Sequence, residues 1–285
     1  MPARKPAPTI HLRRLATELR RLRENAGLTR EEVVERTGIN NATLYRIEVA
    51  RVRPQPRTLM TLLNTYGVAD DEREEFTTLL KDAAKRGPLH ALAARLPETY
   101  ASYIEFETEA CAVRNYESAF VPGLLQTADY ARAVVQGVLP GARPDDVDDR
   151  VQARVRRQAV LNGDAPLRFW GIVDEAALRR PVGGAGVMRA QLRHLAEVAR
   201  RPNVSLQVVP FGAGAHPGLP GSFVLMSFPE GVGSAVVYLD GQAGDMFLEE
   251  EADVSRYTLV FEHLRAAALD PADSARLIAE AADGT

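Results

Sequence analysis

The sequence of 285 residues predicts a mainly α bundle at the N-terminus, followed by an α+β domain with a small antiparallel sheet. The length favours two domains, at about 100–200 residues each. Apolar residues recur at helical spacing in the first part of the chain, whereas short β-type runs bounded by Gly and Pro are concentrated towards its end. Charge is divided in the same way: residues 1–57 carry 13 Lys/Arg and 6 Asp/Glu, and the remainder carries 22 and 32.

This division gives the N-terminal part a net charge of +7 and the rest a net charge of −10, within a total of −3. It predicts that the basic part meets a polyanion and that the acidic part does not. No stretch approaches the roughly 18–20 apolar residues of a membrane span, and the first residues lack the apolar segment of a secretory signal. The single cysteine, Cys111, excludes an intramolecular disulfide and a Cys-based zinc site. We therefore expect a cytoplasmic protein with no membrane partner.

The N-terminal segment predicts one long amphipathic helix and two short helices joined by a sharp turn. Thr29 can cap the second helix, with Glu32 as its capping-box partner, and Gly38 can end it in the left-handed conformation. Asn40 can cap a third helix that starts at Asn41. The apolar face of the first helix is formed by Leu12, Leu15, Ala16, Leu19, Leu22 and Ala26. Two short helices joined by a glycine turn, after a longer helix, are typical of a DNA-binding helix-turn-helix bundle.

The segment LRRLRENAGLTREEVVERTGINNATLYRIEVARVRP resembles the lambda-repressor-like helix-turn-helix domains of the xenobiotic-response-element type. The resemblance covers residues 10–68. It implies a small bundle that is closed by a fourth helix from Thr58 to Tyr66, and a third helix that lies in the major groove of DNA.

The residues after this recognition helix depart from the family pattern. The family often has Glu-Arg-Gly where this chain has Glu48-Val49-Ala50, so we expect the helix to run on by one or two residues. For Glu48 we favour an ion pair within the domain, with Arg46 or Arg51 beside it, over a base contact.

The outward face of the third helix predicts contacts with base edges. Asn41 can pair with adenine, Thr43 can contact a thymine methyl group, and Arg46 can bind guanine through two hydrogen bonds. The candidate base contacts are Asn41, Ala42, Thr43, Tyr45 and Arg46. The candidate phosphate contacts, which would fix the register on the duplex, are Thr29, Arg30, Asn40, Arg51, Arg53 and Arg57. The alternative is a solvated basic face without a ligand.

The chain is predicted to divide into a helix-turn-helix domain over residues 10–68, a helical connector over residues 69–90 and an α+β domain over residues 91–285. Predicted strands cover residues 167–173, 204–209, 223–228 and 236–239. Predicted helices begin near Pro97 and then cover residues 128–137, 145–161, 174–180, 188–201, 253–268 and 272–282. This order indicates helices packed on a sheet of short strands.

Segments such as YIEFETEA, VPGLLQTADYARAVV and VSLQVVPFGAGAHPGLPGSFVLMSFPE resemble the uncharacterised domain that follows the helix-turn-helix in many actinobacterial regulators. The match extends in order over residues 100–268. It implies an antitoxin-like transcriptional regulator that is paired with a small companion protein, and the acidic charge favours a basic companion. Because one recognition helix reads only a few base pairs, we expect a homodimer on a near-palindromic operator of double-stranded DNA.

The C-terminal part lacks the sequence patterns of an enzyme site. No second histidine lies at ligand spacing from His216, and there is no Walker-type loop or G-x-S-x-G elbow, so we expect no metal, no cofactor and no catalysis. The glycine-rich loop around His216 could close over a small-molecule ligand or partner, and the candidate residues are His216, Pro217, Trp170 and Phe223. Core packing is the alternative for Trp170 and Phe223. The rival interpretation is an enzyme or small-molecule-binding protein that the helix-turn-helix only tethers or regulates.

Overall fold

The computed structural model describes residues 9–84, 95–229, 235–241 and 244–284, which form two compact units. The N-terminal unit contains residues 9–84, and the C-terminal unit contains the other described residues. Each unit has its own apolar core. No helix within these ranges is both long enough and apolar enough to cross a membrane.

The described helices of the N-terminal unit are α1 (Ile10–Asn25), α2 (Arg30–Thr37), α3 (Asn41–Glu48), α4 (Pro56–Thr65) and α5 (Arg73–Asp82). Their apolar faces meet in one core, which includes Leu15, Leu19, Val33, Leu44, Ile47, Leu59, Leu62, Leu63, Phe76, Leu79 and Leu80. The helix-turn-helix bundle that the periodicity predicts is confirmed. The segment predicted as a connector contributes α5 to this core, where it packs against α1 and α4.

Both short helices begin at the predicted caps. The hydroxyl oxygen of Thr29 accepts a hydrogen bond from the Glu32 N–H (3.2 Å), and the Glu32 carboxylate accepts one from the Thr29 N–H (2.7 Å). These bonds favour the ionised carboxylate and lower the pKa of Glu32. The side-chain oxygen of Asn40 accepts a bond from the Ala42 N–H (2.9 Å) and starts α3. Between the two helices, Gly38 is left-handed, with φ of 71°.

Helix α3 ends at Glu48, so the expected extension by one or two residues is wrong. Ala50 takes the left-handed conformation, with φ of 56°, although a side chain disfavours it. The N–H groups of Arg51 and Val52 both donate to the carbonyl oxygen of Arg46, at 2.8 and 3.1 Å. These two bonds close the helix end and direct the chain into the loop before α4.

We expect Gly38→Ala to destabilise the N-terminal unit by about 1 kcal/mol, because alanine resists the left-handed conformation. A Cβ at this position would meet no atom within 4 Å, so no steric clash of the new side chain contributes. The loss of stability therefore reports the backbone conformation alone. Gly186→Ala in the C-terminal unit is the matched control, since its added Cβ also meets nothing and its φ is not positive. Hydrogen exchange followed by mass spectrometry measures both; unchanged exchange in α2 and α3 of Gly38→Ala would contradict the argument.

The C-terminal unit contains helices on both sides of a six-stranded sheet. Its described helices are α6 (Glu98–Glu109), α7 (Ala128–Val138), α8 (Pro144–Arg157), α9 (Glu175–Arg179), α10 (Ala185–Val198), α11 (Glu251–Ala267) and α12 (Pro271–Asp283). Its strands are β1 (Ala112–Glu117), β2 (Arg168–Asp174), β3 (Val204–Val209), β4 (Phe223–Ser227), β5 (Val236–Leu239) and β6 (Met246–Leu248).

The strand order is β3-β2-β1-β4-β5-β6. The predicted α+β class is confirmed, but the sheet is mixed and the prediction of an antiparallel sheet is wrong for three of its strands. Strands β1, β2 and β3 pair in parallel, whereas β4, β5 and β6 add antiparallel neighbours. The physical reason lies in the connections, because α7 and α8 join β1 to β2, and α9 and α10 join β2 to β3. These helices return the chain to the edge of the sheet where the previous strand began, so the next strand runs in the same direction.

Strand β1 was not among the predicted strands, although it lies inside the sheet between β2 and β4. Its sequence AVRNYE places Arg114 and Asn115 in the middle, so it lacks an apolar run. Asn115 is buried, and its amide group donates to the carbonyl oxygens of Tyr116 (3.2 Å) and Phe223 (3.1 Å). The sheet thus buries a polar side chain whose hydrogen bonds are satisfied by the protein, at a position where an apolar residue would have indicated a strand.

The two faces of the sheet pack against different helices. On one face, Tyr116, Ile172, Phe223 and Leu225 form a core with Phe261 of α11. On the other face lies α6, whose aromatic rings contact the sheet: Tyr103 lies 4.4 Å from Tyr238 and Phe106 lies 5.0 Å from Phe247, between ring centroids. Several side chains of this second face line a cavity among the described residues of this unit.

Candidate nucleic-acid interface and C-terminal cavity

The candidate base-reading side chains lie on one exposed surface of α3. Leu44 and Ile47 anchor the opposite face of the helix in the core, at 0% and 1% exposure. The outward positions are exposed, apart from the half-buried Thr43, and comprise Asn41, Ala42, Thr43, Tyr45 and Arg46. The helix therefore presents these residues to a partner while it buries its apolar side, as a groove-reading helix must.

Three of these side chains already have neighbours within the N-terminal unit. The Asn41 amide donates to the Glu31 carboxylate at 3.3 Å, and Arg46 Nε donates to the carbonyl oxygen of Ala42 at 2.9 Å. The guanidinium of Arg30 lies over the ring of Tyr45, 5.4 Å from its centroid. The bonds of Asn41 and Arg46 are exposed and weak enough to be exchanged for base edges.

The candidate phosphate contacts surround α3. Thr29 and Asn40 are exposed caps at the starts of α2 and α3, where helix dipoles favour an anion. Arg51, Arg53 and Arg57 are exposed between α3 and the first turn of α4. None of these three arginines forms an ion pair with a carboxylate among the residues that the structure describes.

Glu48, at the last position of α3, is the buried centre of an ion cluster. Its side chain is fully buried, and its two oxygens accept hydrogen bonds from Arg23 Nε (2.6 Å) and Arg30 Nε (2.7 Å). Arg23 also donates to the carbonyl oxygen of Leu28 (2.9 Å). The bond to Glu48 raises the pKa of Arg23, so its guanidinium stays charged. The cluster therefore connects α1, α2 and α3.

An ion-pairing role for Glu48 is confirmed, but its partners are not the predicted Arg46 and Arg51. Those two residues neighbour Glu48 in sequence, yet both point outward from the helix end. Arg23 and Arg30 reach Glu48 from other helices, which sequence proximity does not reveal. Arg30, a candidate phosphate contact, is half-buried and partly committed to Glu48.

We expect Glu48→Gln to destabilise the N-terminal unit by about 3–5 kcal/mol, because it leaves the buried Arg23 without its carboxylate. Glu18→Gln is the matched control: Glu18 pairs with Arg21 at 2.7 Å on the surface of α1, so its loss should cost less than about 1 kcal/mol. Hydrogen exchange of α1 to α3 distinguishes the two variants. Equal protection in Glu48→Gln and the native protein would show that the cluster does not hold the helices.

Among the residues predicted for a C-terminal ligand or partner loop, the side chain of His216 is buried and in contact with its neighbours. The side chain of His216 is 4% exposed; its Nε2 lies 3.4 Å from Asp174 Oδ2, and its Nδ1 accepts a bond from the Gly218 N–H (3.3 Å). Pro217 is exposed. The loop packs closely on the sheet, because a Cβ added at Gly218 would lie 2.5 Å from the ring of Tyr116.

Trp170 and Phe223 both pack against the core beside α11. The Trp170 ring meets Phe261 edge-on at 6.1 Å between centroids, and its N–H donates to the Gln207 side chain (2.9 Å). Phe223 is 2% exposed and belongs to that core, and it also borders a cavity. The packing role that the sequence left open for both residues is thus present in the structure.

That cavity has a volume of about 190 Å³ and lies at the end of β1 on the α6 side of the sheet. Neither His216 nor Trp170 lines it. Its polar lining includes the acids Glu117 and Asp240 and the bases Arg154 and Arg157, beside the rings of Tyr100, Tyr103, Phe120 and Tyr238. The sequence did not predict this set, because its members are distributed between residues 100 and 240.

A buried ion pair forms one wall of the cavity. Arg157 of α8 donates to both oxygens of Glu107 in α6, each at 2.7 Å, and the Tyr103 hydroxyl donates to Glu107 at 2.7 Å. The third nitrogen of Arg157 donates to the Tyr100 hydroxyl (2.8 Å). Glu107 is one of four glutamates in α6, so no sequence signal separates this buried, paired acid from its neighbours.

Two family descriptions match the sequence. "Helix-turn-helix domain" matches residues 14–76, and "Domain of unknown function (DUF5753)" matches residues 100–280, which is more than half of the chain. No curated protein and no solved structure gives a significant match. The first match begins within α1 and ends in the first turn of α5, and the second covers the six strands of the C-terminal sheet and most of its helices.

Proposed function

Because the chain belongs to the DUF5753 family and carries a helix-turn-helix domain at its N-terminus, we propose that it is a transcriptional regulator that binds specific sequences of double-stranded DNA. The observation that carries the proposal is the geometry of α3. Its apolar side is buried, its last residue is fixed by the cluster around Glu48, and its outer side chains are presented between exposed cations. A positioned helix with a polar outer face is the element that reads a major groove.

Within this proposal, base reading belongs to the outward residues of α3. Asn41 would pair with adenine, Arg46 would bind guanine, and Thr43 and Ala42 would contact thymine methyl groups. Tyr45, held against Arg30, would contact a phosphate or a thymine methyl group. These contacts require Asn41 and Arg46 to exchange their present hydrogen bonds for base edges.

Phosphate contacts would come from the two helix caps and the exposed arginines. Thr29 and Asn40 place the N-termini of α2 and α3 towards the backbone, and Arg51, Arg53 and Arg57 add positive charge after α3. Arg30 contributes less to this set than Arg51, Arg53 and Arg57 do, because Glu48 holds its Nε. We also propose the lambda-repressor-like mode of docking, on the strength of the sequence resemblance.

We extend the proposal to a homodimer on a near-palindromic operator, because one short recognition helix covers too few base pairs for a specific site. For the C-terminal unit, we propose a role in dimerisation and in binding a small basic companion protein or a ligand in the cytoplasm, as in antitoxin-like regulators. The net charge of −10 outside residues 1–57 supports a basic partner.

We propose that the C-terminal unit acts by binding and without catalysis. His216 is the residue on which an enzyme interpretation would depend, and both of its ring nitrogens are engaged, one by Asp174 and one by the Gly218 N–H. Its burial, and the fact that it does not line the described cavity, favour a structural role over that of a general base.

Arg46→Ala and Arg53→Ala should weaken DNA binding in different ways. Loss of the base contact of Arg46 should cost about 1–3 kcal/mol on a duplex selected for tight binding, and little on a scrambled duplex. Loss of Arg53 should weaken both duplexes alike. Fluorescence anisotropy with the full chain measures the four affinities. If Arg46→Ala binds the selected duplex as the native protein does, the assigned recognition face is wrong.

Binding should also fall steeply as salt rises, because each neutralised phosphate releases counterions. The slope of log affinity against log salt should become less negative by about 1 in Arg53→Ala. Glu262→Gln in α11, which removes a half-buried carboxylate of the C-terminal unit that pairs with Arg265, should leave that slope unchanged. A flat salt response of the native protein would contradict the role of the exposed arginines.

A further inference from the structure

The charged side chains that line the cavity at the end of β1 differ in how well hydrogen-bond partners from the protein satisfy them. Its two bases have protein acceptors. Arg157 uses all three of its nitrogens on Glu107 and Tyr100, and Arg154 donates to the Gln126 side chain at 3.0 Å. Arg157 and Glu107 neutralise each other behind the wall.

The two acids of the lining are less well satisfied. Glu117, the last residue of β1, is contacted by two neutral donors, the Asn115 amide at 3.4 Å and the Ser222 hydroxyl. No ion pair of Glu117 occurs among the described residues. Asp240 is exposed where the cavity opens, and it meets a second carboxyl group, that of Asp245. With Arg157 paired to Glu107, Arg154 is the base of the lining that faces Glu117 and Asp240, and Arg150 also faces Asp240. When both acids are ionised, the lining carries two negative charges beside the one positive charge of Arg154.

The cavity also has aromatic walls. The rings of Phe120 and Tyr238 line it, and the ring of Tyr103 lies beside Tyr238. One cation already lies against Tyr103, because Arg157 is 4.6 Å from its centroid. Aromatic faces attract a cation, and carboxylates at the same place add a charged acceptor for its N–H groups.

We propose that this cavity binds a small organic cation, whose ammonium or guanidinium group pairs with Glu117 while its apolar part lies against Phe120 and Tyr238. A cavity of about 150 Å³ holds benzene, so about 190 Å³ holds a molecule slightly larger, on the order of eight non-hydrogen atoms. The inference concerns the C-terminal unit alone, and it goes beyond DNA binding without depending on it.

Burial raises the pKa of Glu117 to about 7, which gives the site a characteristic pH dependence. The charged and titratable groups that face Glu117 are Arg154 of α8, Asp240 after β5, Tyr130 of α7 and its own neighbour Tyr116 in β1. The ionised form of Glu117 binds a cation, so affinity should be high above this pKa and should be lost as pH falls through it. Between about pH 8 and about pH 6, the ionised fraction and hence the affinity should fall roughly tenfold.

Three compounds of nearly equal shape test the charge of the ligand: benzylamine, benzyl alcohol and benzoate. We expect isothermal titration of the full chain, without DNA, to show benzylamine binding at least tenfold tighter than the other two, and a tenfold loss from about pH 8 to about pH 6. Benzoate binding tighter than benzylamine would identify an anion site centred on the arginines and would overturn the proposal. So would the absence of benzylamine binding at millimolar concentration.

Substitutions of the two acids of the lining test whether benzylamine binds in this cavity. Glu117→Gln should weaken benzylamine at least tenfold and remove its pH dependence, and Asp240→Asn, at the exposed opening, should weaken it several-fold. Glu262→Gln, a carboxylate of α11 outside the cavity, is the matched control and should bind as the native chain does. If Glu117→Gln fails to fold, Asp240→Asn decides the test. Unchanged affinity in the folded acid variants would overturn the assignment. Because the titrations contain no DNA, a failure here leaves the proposed DNA binding to its own tests.

Discussion

The buried carboxylate of Glu48 is the constraint on which the N-terminal unit depends. It stands at the end of the recognition helix and receives guanidinium groups from α1 and α2. A buried charge of this kind adds little net stability when it is paired, but its removal is costly, so it favours one arrangement of the three helices over others. The buried side of α3 is therefore held in one orientation, while its outer residues stay at the surface, where their exposed hydrogen bonds can be exchanged for those of a ligand.

A buried ion pair between an arginine and a carboxylate also joins helices in the C-terminal unit. Glu107 of α6 and Arg157 of α8 form a bidentate pair, with both side chains nearly inaccessible to solvent. The pair joins two helices that are far apart in sequence and supports the wall of a cavity. In each unit, then, a buried arginine–carboxylate contact fixes the elements beside a candidate binding surface. Removal of either partner would leave an uncompensated charge and disturb that surface.

Local signals account for what the sequence predicted well. The caps at Thr29 and Asn40 and the turn at Gly38 depend on residues within a few positions of each other, so the helix-turn-helix could be recognised directly. The end of α3 was harder to predict, because Ala50 adopts a conformation that its residue type disfavours.

Non-local contacts account for the rest. The partners of Glu48 lie 18 and 25 positions away, and equally charged arginines stand nearer in sequence. Strand β1 was not predicted because Asn115 interrupts its apolar pattern. The sheet buries this polar residue with its hydrogen bonds satisfied. The parallel pairing follows from helical connections whose packing no single segment specifies. The cavity draws its lining from segments between residues 100 and 240, so no motif could reveal it.

Selection of binding sites from random duplexes by the full chain tests the central claim most directly, that a fixed recognition helix reads DNA sequence. We expect an enriched motif made of two inverted half-sites, with centres about 10–10.5 base pairs or a multiple of that apart. Recovery of duplexes with no enriched motif, from a protein shown to be folded, would contradict it.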